Sequence, residues 1–186
     1  MRDRLFAHPK VIVELGMGDG RLLASLAEHD TNSFYVGIEI DKKQCDQARA
    51  SADLANVEIM SGSFEDILPT FPDGSVDRFI AVLPDPAFID EKRQDKWRPL
   101  YKTVHAKLKF GGTFQLVAEI TDELLRPVDD EAYATWSAWL ESSLLSIGFT
   151  LKSRLEGAPA QYSSRCLDQF KGDPERIRIV TLELAK

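Results

Sequence analysis

The chain has 186 residues, of which 44% are hydrophobic and 28% are charged, a composition typical of a globular protein and unlike that of a disordered or fibrous chain. Its 23 basic and 30 acidic residues give a net charge of −7, which argues against a protein coated in nucleic acid but allows one local basic site. About 70% of the unfolded surface can be buried at this length, so we expect one domain over residues 1–186 that needs no disulfide or structural metal.

The cysteines and the apolar segments indicate the compartment. Cys45 and Cys166 lie far apart and outside any Cys/His cluster, which predicts free thiols in a reducing environment and no metal site. No apolar stretch approaches the ~20 residues of a membrane span, and residues 1–10 lack the long apolar core of a signal peptide. We therefore expect a cytoplasmic protein.

Short apolar segments alternate with longer amphipathic ones along most of the chain, which is the pattern of βαβ units. Strands are predicted at 11–15, 34–40, 57–60, 76–83 and 113–120. Helices are predicted between and after them, at 21–28, 42–54, 96–108 and 131–146. Asp41 is placed to cap the second helix, and Gly111 with Gly112 to end the third. The alternation predicts an α/β fold with a mostly parallel sheet.

The carboxyl-terminal part of the chain has a different pattern. Segments 149–155 and 177–184 alternate like strands with no helix predicted between them, so we expect them to pair antiparallel at the end of the sheet. The intervening segment, 156–175, contains two glycines and two prolines and is long for a connection without secondary structure. Long loops of this kind are often functional, which makes it a candidate lid.

A glycine-rich turn follows the first predicted strand, in the segment ELGMGDG. Glycines there let backbone N–H groups approach a ligand, as in the dinucleotide fingerprint, although the spacing is GxGxG rather than GxGxxG. We therefore expect Gly16, Gly18 and Gly20 to contact a nucleotide-containing cofactor. Glu39 ends the second strand 19 residues after Gly20, where a carboxylate can accept hydrogen bonds from both hydroxyls of a ribose.

These residues resemble two motifs of the class I S-adenosylmethionine-dependent methyltransferases: ELGMGDG their first motif, and GIEID at 37–41 their second. The resemblance implies S-adenosylmethionine as the cofactor, with Glu14 and the glycine turn near its methionine moiety, Glu39 on its ribose and Ile40 against its adenine. It also implies a Rossmann-like fold, with a mostly parallel seven-stranded sheet, helices on both faces and an antiparallel last strand.

The same resemblance places the third motif at Ser63 and Phe64, and it adds these two residues and Leu83 to the expected cofactor contacts. Many relatives carry an aspartate in the third motif, where it reads the adenine amine. Because Ser63 and Phe64 stand in its place, adenine recognition falls to backbone groups or to Glu65 and Asp66.

The end of the fourth predicted strand carries the sequence Pro84-Asp85-Pro86, at the edge where ligands bind in open α/β sheets. A rigid turn capped by Asp85 is the structural alternative to a functional role. A basic segment follows, with a charge of +5 between residues 91 and 109, which suits either an anionic partner or a solvated helix face. Its cations are Lys92, Arg93, Lys96, Arg98, Lys102, Lys107 and Lys109.

Four motifs follow one another in this part of the chain: PDP at 84–86, RxxKxR at 93–98, KxGG at 109–112 and TD at 121–122. The succession resembles that of the tRNA (guanine-N7) methyltransferase family, from about residue 11 to residue 122. This resemblance implies that Asp85 is the catalytic-site carboxylate and that Asp122 contacts the target base. It implies that Arg93, Lys96 and Arg98 face the RNA, with tRNA as the partner.

The chemistry of a ring nitrogen fits this set of residues. Guanine N7 carries an available lone pair, so catalysis needs alignment and exclusion of water rather than a general base. A carboxylate such as Asp85 can fix the base through its N–H groups and offset the positive charge that develops on the ring. Trp97 and Tyr101 could stack on bases, but aromatic residues at this helical spacing, like Trp136 and Trp139, are more often part of a core.

Several alternatives stay open at this stage. ELGxGDGR also resembles the small-subunit ribosomal RNA adenine-N1 methyltransferases, the acidic body suits a small-molecule acceptor, and PDPAF faintly resembles the NPPF-type motif of amino methyltransferases. A module without catalytic activity that binds RNA or protein would explain the altered third motif and the absence of the family's carboxyl-terminal Thr-x-x-Glu. An oxidoreductase with a nicotinamide cofactor is disfavoured by the GxGxG spacing.

Overall fold

The computed structural model describes residues 8–51, 54–122, 124 and 126–186, and within them seven strands form one sheet in the order β3-β2-β1-β4-β5-β7-β6. Strands β1 to β5 pair in parallel, and β7 runs antiparallel to both β5 and β6. The strands are β1 Lys10–Leu15, β2 Ser33–Glu39, β3 Val57–Ser61, β4 Val76–Val82, β5 Leu108–Thr121, β6 Thr150–Glu156 and β7 Ile177–Ala185. The predicted fold class is confirmed, including the antiparallel pairing of the last two strands.

The helices of the described residues are α1 Arg21–His29, α2 Lys42–Ser51, α3 Phe64–Ile67, α4 Gln94–Lys107, α5 Asp130–Leu145 and α6 Arg165–Lys171. Side-chain caps begin several of them, because a carboxylate or hydroxyl accepts from N–H groups that the first turn leaves free. Asp41 Oδ1 accepts from Lys43 N at 2.8 Å, which confirms its predicted role. Asp129 caps α5, and Ser164 caps α6. The end of the helix predicted at 42–54 falls partly on residues 52 and 53, which lie outside the described residues.

Both faces of the sheet are covered, as the alternation of side chains along β5 demonstrates. Phe114, Leu116 and Ala118 pack with α4 and α5 in one hydrophobic cluster, whereas Val117 packs on the other face with side chains of α1 and α6. In α4, Trp97 and Tyr101 are each only 1% exposed, so the aromatic residues at helical spacing belong to the core rather than to an RNA surface. Trp136 and Trp139 of α5 are partly buried against the same cluster.

The predicted glycine end of the helix before β5 is wrong. That helix, α4, ends at Lys107, and β5 begins at Leu108, so Gly111 and Gly112 lie inside the strand. The register between β4 and β5 shifts near their beginnings, and a side chain at Gly112 would come within 3.0 Å of two backbone oxygens. Gly112 therefore permits a close backbone approach at a strand irregularity, whereas Gly111 supplies a positive φ of 76°.

The predicted loop at 156–175 is also wrong as a structureless lid. It contains α6, whose Leu167 is fully buried against the sheet together with Tyr162. The helix has only seven residues and is flanked by glycine and proline, so its apolar period is too short to stand out in the sequence. Among the described residues, no helix has the length and hydrophobicity needed to cross a bilayer.

Candidate active site

A cavity of about 590 Å³ opens at the carboxyl edge of the parallel strands. Its wall combines the glycine turn after β1, the beginning of α2, the end of β4 and the amino-terminal part of α6. This is the edge at which open α/β sheets bind their ligands. Several segments distant in sequence therefore converge on one space large enough for a nucleotide-sized ligand.

The glycine turn takes the left-handed backbone conformation that its sequence requires. Gly16, Gly18 and Gly20 have φ values of 68°, 57° and 74°. A side chain at Gly20 would come within 2.9 Å of the Ala48 methyl group on α2, whereas one at Gly16 would meet nothing within 4 Å. Gly20 therefore permits close packing of the turn, while Gly16 leaves open space at the cavity wall.

Glu39 holds the turn in place. Its Oε2 accepts from Gly18 N at 2.9 Å, its Oε1 accepts from Asp41 N at 2.8 Å, and the residue is 8% exposed. The carboxylate thus connects the glycine turn to the start of α2. Each of its oxygens can accept a further hydrogen bond, so the predicted contact with a ribose stays compatible with this arrangement.

Glu14 lies on β1 beneath the same cavity and is 2% exposed. Burial raises its pKa to about 8, and the negative charges of Asp19 and Glu39 contribute. Its Oε2 is buried without a hydrogen-bond partner among the described residues. An unpartnered buried acid that lines a cavity is costly in the free protein, and a cationic ligand group would offset that cost.

Three further predicted cofactor residues, Ile40, Ser63 and Phe64, are not on the cavity wall, and neither are Gly20 and Glu39. Ile40 is 73% exposed, next to the wall residue Asp41. Ser63 caps α3 through Glu65 N at 3.1 Å, and the Phe64 ring packs on Phe88 with 4.9 Å between ring centroids.

Leu83, by contrast, lines the cavity at the end of β4. Its φ of 51° is the one positive φ of a non-glycine residue in the described part of the chain. Leu83 N donates to Val117 O at 2.8 Å, so hydrogen bonding to β5 holds this uncommon backbone. The turn directs the chain from the cavity wall into the Pro84-Asp85-Pro86 segment.

Asp85 is exposed in that turn, and its Oδ1 accepts from Ala87 N at 2.8 Å. The side chain therefore caps the short helical turn Pro86–Phe88, as the structural alternative predicted. A carboxylate that accepts one hydrogen bond keeps further lone pairs. Capping and contact with an acceptor are thus compatible at this position.

The basic segment does not form one surface. Arg93 and Lys96 are exposed near the beginning of α4, and Arg98 donates to Ser146 Oγ at 2.9 Å. At the other end of the helix, Lys107 pairs with Asp73 at 2.7 Å and Lys109 with Asp77 at 2.6 Å. Because α4 has 14 residues, about 21 Å separate its two ends. Arg93 and Lys96 therefore lie at the end of α4 that follows the Asp85 turn, away from Lys107 and Lys109.

Asp122 follows β5 and is occupied by a local ion pair. Its Oδ2 lies 2.9 Å from Arg126 Nη2, and its Oδ1 accepts from Leu124 N at 2.9 Å. The hydrogen bond from Arg126 holds the pKa of this carboxyl well below its usual range. Residues 123 and 125, next to this ion pair in sequence, lie outside the described residues.

Sequence reasoning missed the contribution of α6. Arg165 and Cys166 line the cavity, and Arg165 N donates to Asp19 Oδ2 at 3.2 Å. Asp19 thereby connects the glycine turn with α6, and it also accepts from Arg21 Nε of α1 at 2.8 Å. The signal was a capping serine, Ser164, followed by apolar side chains three and six residues later. In the described part of the chain, no cluster of His, Cys, Asp or Glu is arranged to hold a metal ion.

Comparison with known proteins identifies the family. The model of a family described as "Putative methyltransferase" matches residues 8–143. A tRNA (guanine-N(7)-)-methyltransferase of Acinetobacter baylyi is 31% identical over 140 residues, which cover 70% of this chain and 52% of that protein. One of Campylobacter fetus is 34% identical over 110 residues, 58% of this chain and 28% of that protein. The chain thus spans about half or less of the length of these relatives.

Solved structures of other methyltransferases share this fold. A 16S rRNA (adenine(1408)-N(1))-methyltransferase of Catenulisporales acidiphilia, solved with cosubstrate SAM, superposes with a TM-score of 0.70 and 15% identity, over 99% of this chain and 88% of that one. The family model covers well over half of the chain and agrees with the resemblance seen in the motifs. The chain therefore belongs to this methyltransferase family and has the fold of S-adenosylmethionine-dependent methyltransferases.

Proposed function

We propose that the protein transfers a methyl group from S-adenosylmethionine to N7 of a guanine in tRNA. The observation that carries this proposal is the cavity at the carboxyl edge. Its wall includes Glu14, whose buried Oε2 has no hydrogen-bond partner among the described residues, and Leu83, which leads into the Asp85 turn. One space thus borders both a cofactor side and an acceptor side. The names of the curated relatives favour tRNA guanine as the acceptor.

Several residues of the cofactor side suit S-adenosylmethionine chemically. Glu14 suits the ammonium of the methionine moiety, because a cation there offsets the burial of an acid whose oxygen has no other partner among the described residues. Glu39 suits the ribose hydroxyls, and the exposed Ile40 side chain suits the adenine face. Gly16 leaves the space that a bound ligand needs beside the turn. When bound, the cofactor supplies a methyl group activated by attachment to a sulfonium.

The proposed reaction needs little acid–base catalysis on the acceptor side. The N7 lone pair forms the bond to the methyl carbon, the carbon–sulfur bond breaks, and its electron pair stays with sulfur. No proton leaves N7, so the protein needs no general base, and the positive charge moves to the guanine ring. In this proposal the carboxylate of Asp85 orients the base and stabilises that charge.

The RNA would approach over the beginning of α4. Arg93 and Lys96 are exposed there and can contact phosphates, whereas Lys107 and Lys109 are paired at the far edge of the sheet. In this proposal residues 1–186 act as one methyltransferase domain, and a tRNA substrate places the reaction in the cytoplasm.

The test is transfer of labelled methyl from S-adenosylmethionine to bulk tRNA, followed by digestion to nucleosides. We expect 7-methylguanosine to carry the label. Label in 1-methyladenosine of small ribosomal subunits, or in low-molecular-weight extract, would replace tRNA guanine by another acceptor. Calorimetric titration with S-adenosylmethionine and S-adenosylhomocysteine is the companion measurement, since absence of binding would indicate a module without catalytic activity.

A further inference from the structure

Glu14 places a buried carboxyl group in the wall of the cavity. It lies on β1, is only 2% exposed and lines the cavity together with the glycine turn that follows it. Its Oε2 has no hydrogen-bond partner among the described residues. The residues opposite it on the neighbouring strands, Gly37 of β2 and Ile80 of β4, have no polar side chain. This carboxyl group is therefore available to a ligand in the cavity.

A second strand acid shows what distinguishes Glu14. Glu183 on β7 also has a buried Oε2 without a hydrogen-bond partner among the described residues, but Arg78 Nη2 lies 3.7 Å from it and supplies a positive charge. The charges that act most strongly on Glu14 are those of Asp19 and Glu39, and both are negative. Burial and like charges each oppose ionisation, so the free protein favours the neutral carboxyl of Glu14.

The other titratable groups around Glu14 are paired with one another or exposed. Tyr162 is buried on the same side of the sheet as Ile80, the residue opposite Glu14. Its hydroxyl donates to Gln115 and accepts from Arg78 Nη2 at 3.4 Å. The exposed groups are Arg21 and Asp168, which lie 3.6 Å apart, and the wall residues Asp41, Lys43, Arg165 and Cys166.

We propose that Glu14 is neutral in the free protein and releases its proton to solvent when S-adenosylmethionine binds, so that cofactor binding is coupled to proton release. This inference rests on the proposed function and adds a pH dependence to it. The ammonium group of the methionine moiety supplies the positive charge that pairs with the carboxylate. The ligand keeps its own protons, and the buffer takes up the proton of Glu14. The free protein thus avoids an unpaired buried charge.

The pKa of Glu14 sets the pH range of this coupling. Burial, Asp19 and Glu39 raise that pKa to about 8, so about nine in ten molecules of the free protein carry the proton at pH 7. An ammonium group beside the carboxylate favours the ionised form and lowers the pKa in the complex. Binding at pH 7 should therefore release more than about half a proton per site, and affinity should rise several-fold per unit between about pH 6 and 7.5.

Calorimetric titration in two buffers of different ionisation enthalpy counts the released protons. S-adenosylhomocysteine is the probe, because it carries the ammonium group and has no methyl group to transfer. We expect proton release with the wild type and almost none with Glu14→Gln, whose affinity should not rise with pH. With 5′-methylthioadenosine, which lacks the ammonium group, the wild type should release none. Glu183→Gln is the matched control and should release as many protons as the wild type.

The free protein provides a second readout that needs no ligand. An unperturbed glutamate has a pKa of 4.5, so folded Glu14 binds more protons than unfolded Glu14 between about pH 5 and 8. The contribution of Glu14 to stability therefore falls as pH rises through this range. Glu14→Gln has no such charge, so its Tm should exceed that of the wild type by more at pH 8 than at pH 5.

The two readouts separate this inference from the proposed function. Binding of S-adenosylhomocysteine to the wild type without proton release, equal release by Glu14→Gln, or parallel curves of Tm against pH would each overturn the role of Glu14 alone. If Glu14→Gln binds too weakly to titrate, the Tm curves and the comparison with 5′-methylthioadenosine decide. A wild type that binds neither S-adenosylmethionine nor S-adenosylhomocysteine would overturn the proposed function and this inference with it.

Discussion

The cofactor side and the acceptor side of the cavity are held in place by different means. On the cofactor side, the backbone is fixed by glycines with positive φ and by the buried carboxylate of Glu39, which accepts from two backbone N–H groups. On the acceptor side, Asp85 holds only its own turn, and the nearby cations Arg93 and Lys96 extend into solvent. The first side is defined by backbone geometry, the second by side chains.

This difference bears on how each side recognises its ligand. A backbone turn with hydrogen bonds to a buried carboxylate is preorganised, so it loses little conformational entropy when a ligand binds. Exposed side chains on the acceptor side must be ordered by the substrate itself. We therefore expect substitutions on the acceptor side to affect transfer and those on the cofactor side to affect affinity.

The largest expected effect comes from Asp85→Asn, which keeps an oxygen to cap the turn but removes the charge. We expect kcat for tRNA methylation to fall by about 10²- to 10³-fold, because the variant lacks a group that stabilises developing charge. The affinity for S-adenosylmethionine, measured by calorimetry, should not change. Asp90→Asn is the control, since Asp90 caps the neighbouring turn in the same way through Lys92 N. Equal losses of activity in both variants would contradict a specific role of Asp85.

On the cofactor side, Glu39→Ala should weaken S-adenosylmethionine binding by about 1 to 3 kcal/mol, because partly buried donors are left unpaired and the ribose has no carboxylate to bind. Calorimetric titration measures it, with Glu28→Ala, an exposed change on α1, as the control. If the cofactor binds Glu39→Ala as tightly as the wild type, Glu39 does not hold the ribose.

Gly16→Ala is expected to have a smaller effect on cofactor binding, and Gly74→Ala is its matched control. Both glycines have positive φ, 68° and 64°, and a side chain at either position would meet no atom within 4 Å. Each alanine should therefore lower the free energy of unfolding by about 1 to 2 kcal/mol through backbone strain alone. Gly16→Ala should in addition weaken cofactor binding about tenfold, because its methyl group enters the cavity. Equal cofactor affinity in the two variants would argue that the ligand does not approach Gly16.

The same contrast explains what the sequence could and could not reveal. The left-handed glycine turn was predictable, because local backbone geometry demands glycine at fixed spacing, whereas the contact of Glu39 with a ribose stays a prediction. The contribution of Arg165 was not predictable, because it depends on a long-range interaction, its backbone hydrogen bond to Asp19.

The division of the basic segment shows a further limit of sequence analysis. A charge of +5 over residues 91–109 identified a cationic stretch, but not which cations share a surface. A helix of 14 residues carries the two ends of this stretch to opposite edges of the sheet. There Lys107 and Lys109 pair with aspartates, whereas Arg93 and Lys96 at the beginning of the segment are exposed next to the Asp85 turn.

The smallest expected effect tests this division. Arg93→Ala with Lys96→Ala should weaken tRNA binding several-fold and reduce the slope of log affinity against log salt concentration by about one for each phosphate that the protein no longer neutralises. Lys107→Ala with Lys109→Ala removes the same charge at the far edge and should leave that slope unchanged. Filter binding at several salt concentrations measures both. Equal slopes for the two double variants would mean that RNA binding depends on the overall charge of the protein. Arg93 and Lys96 would then contact RNA no more specifically than Lys107 and Lys109 do.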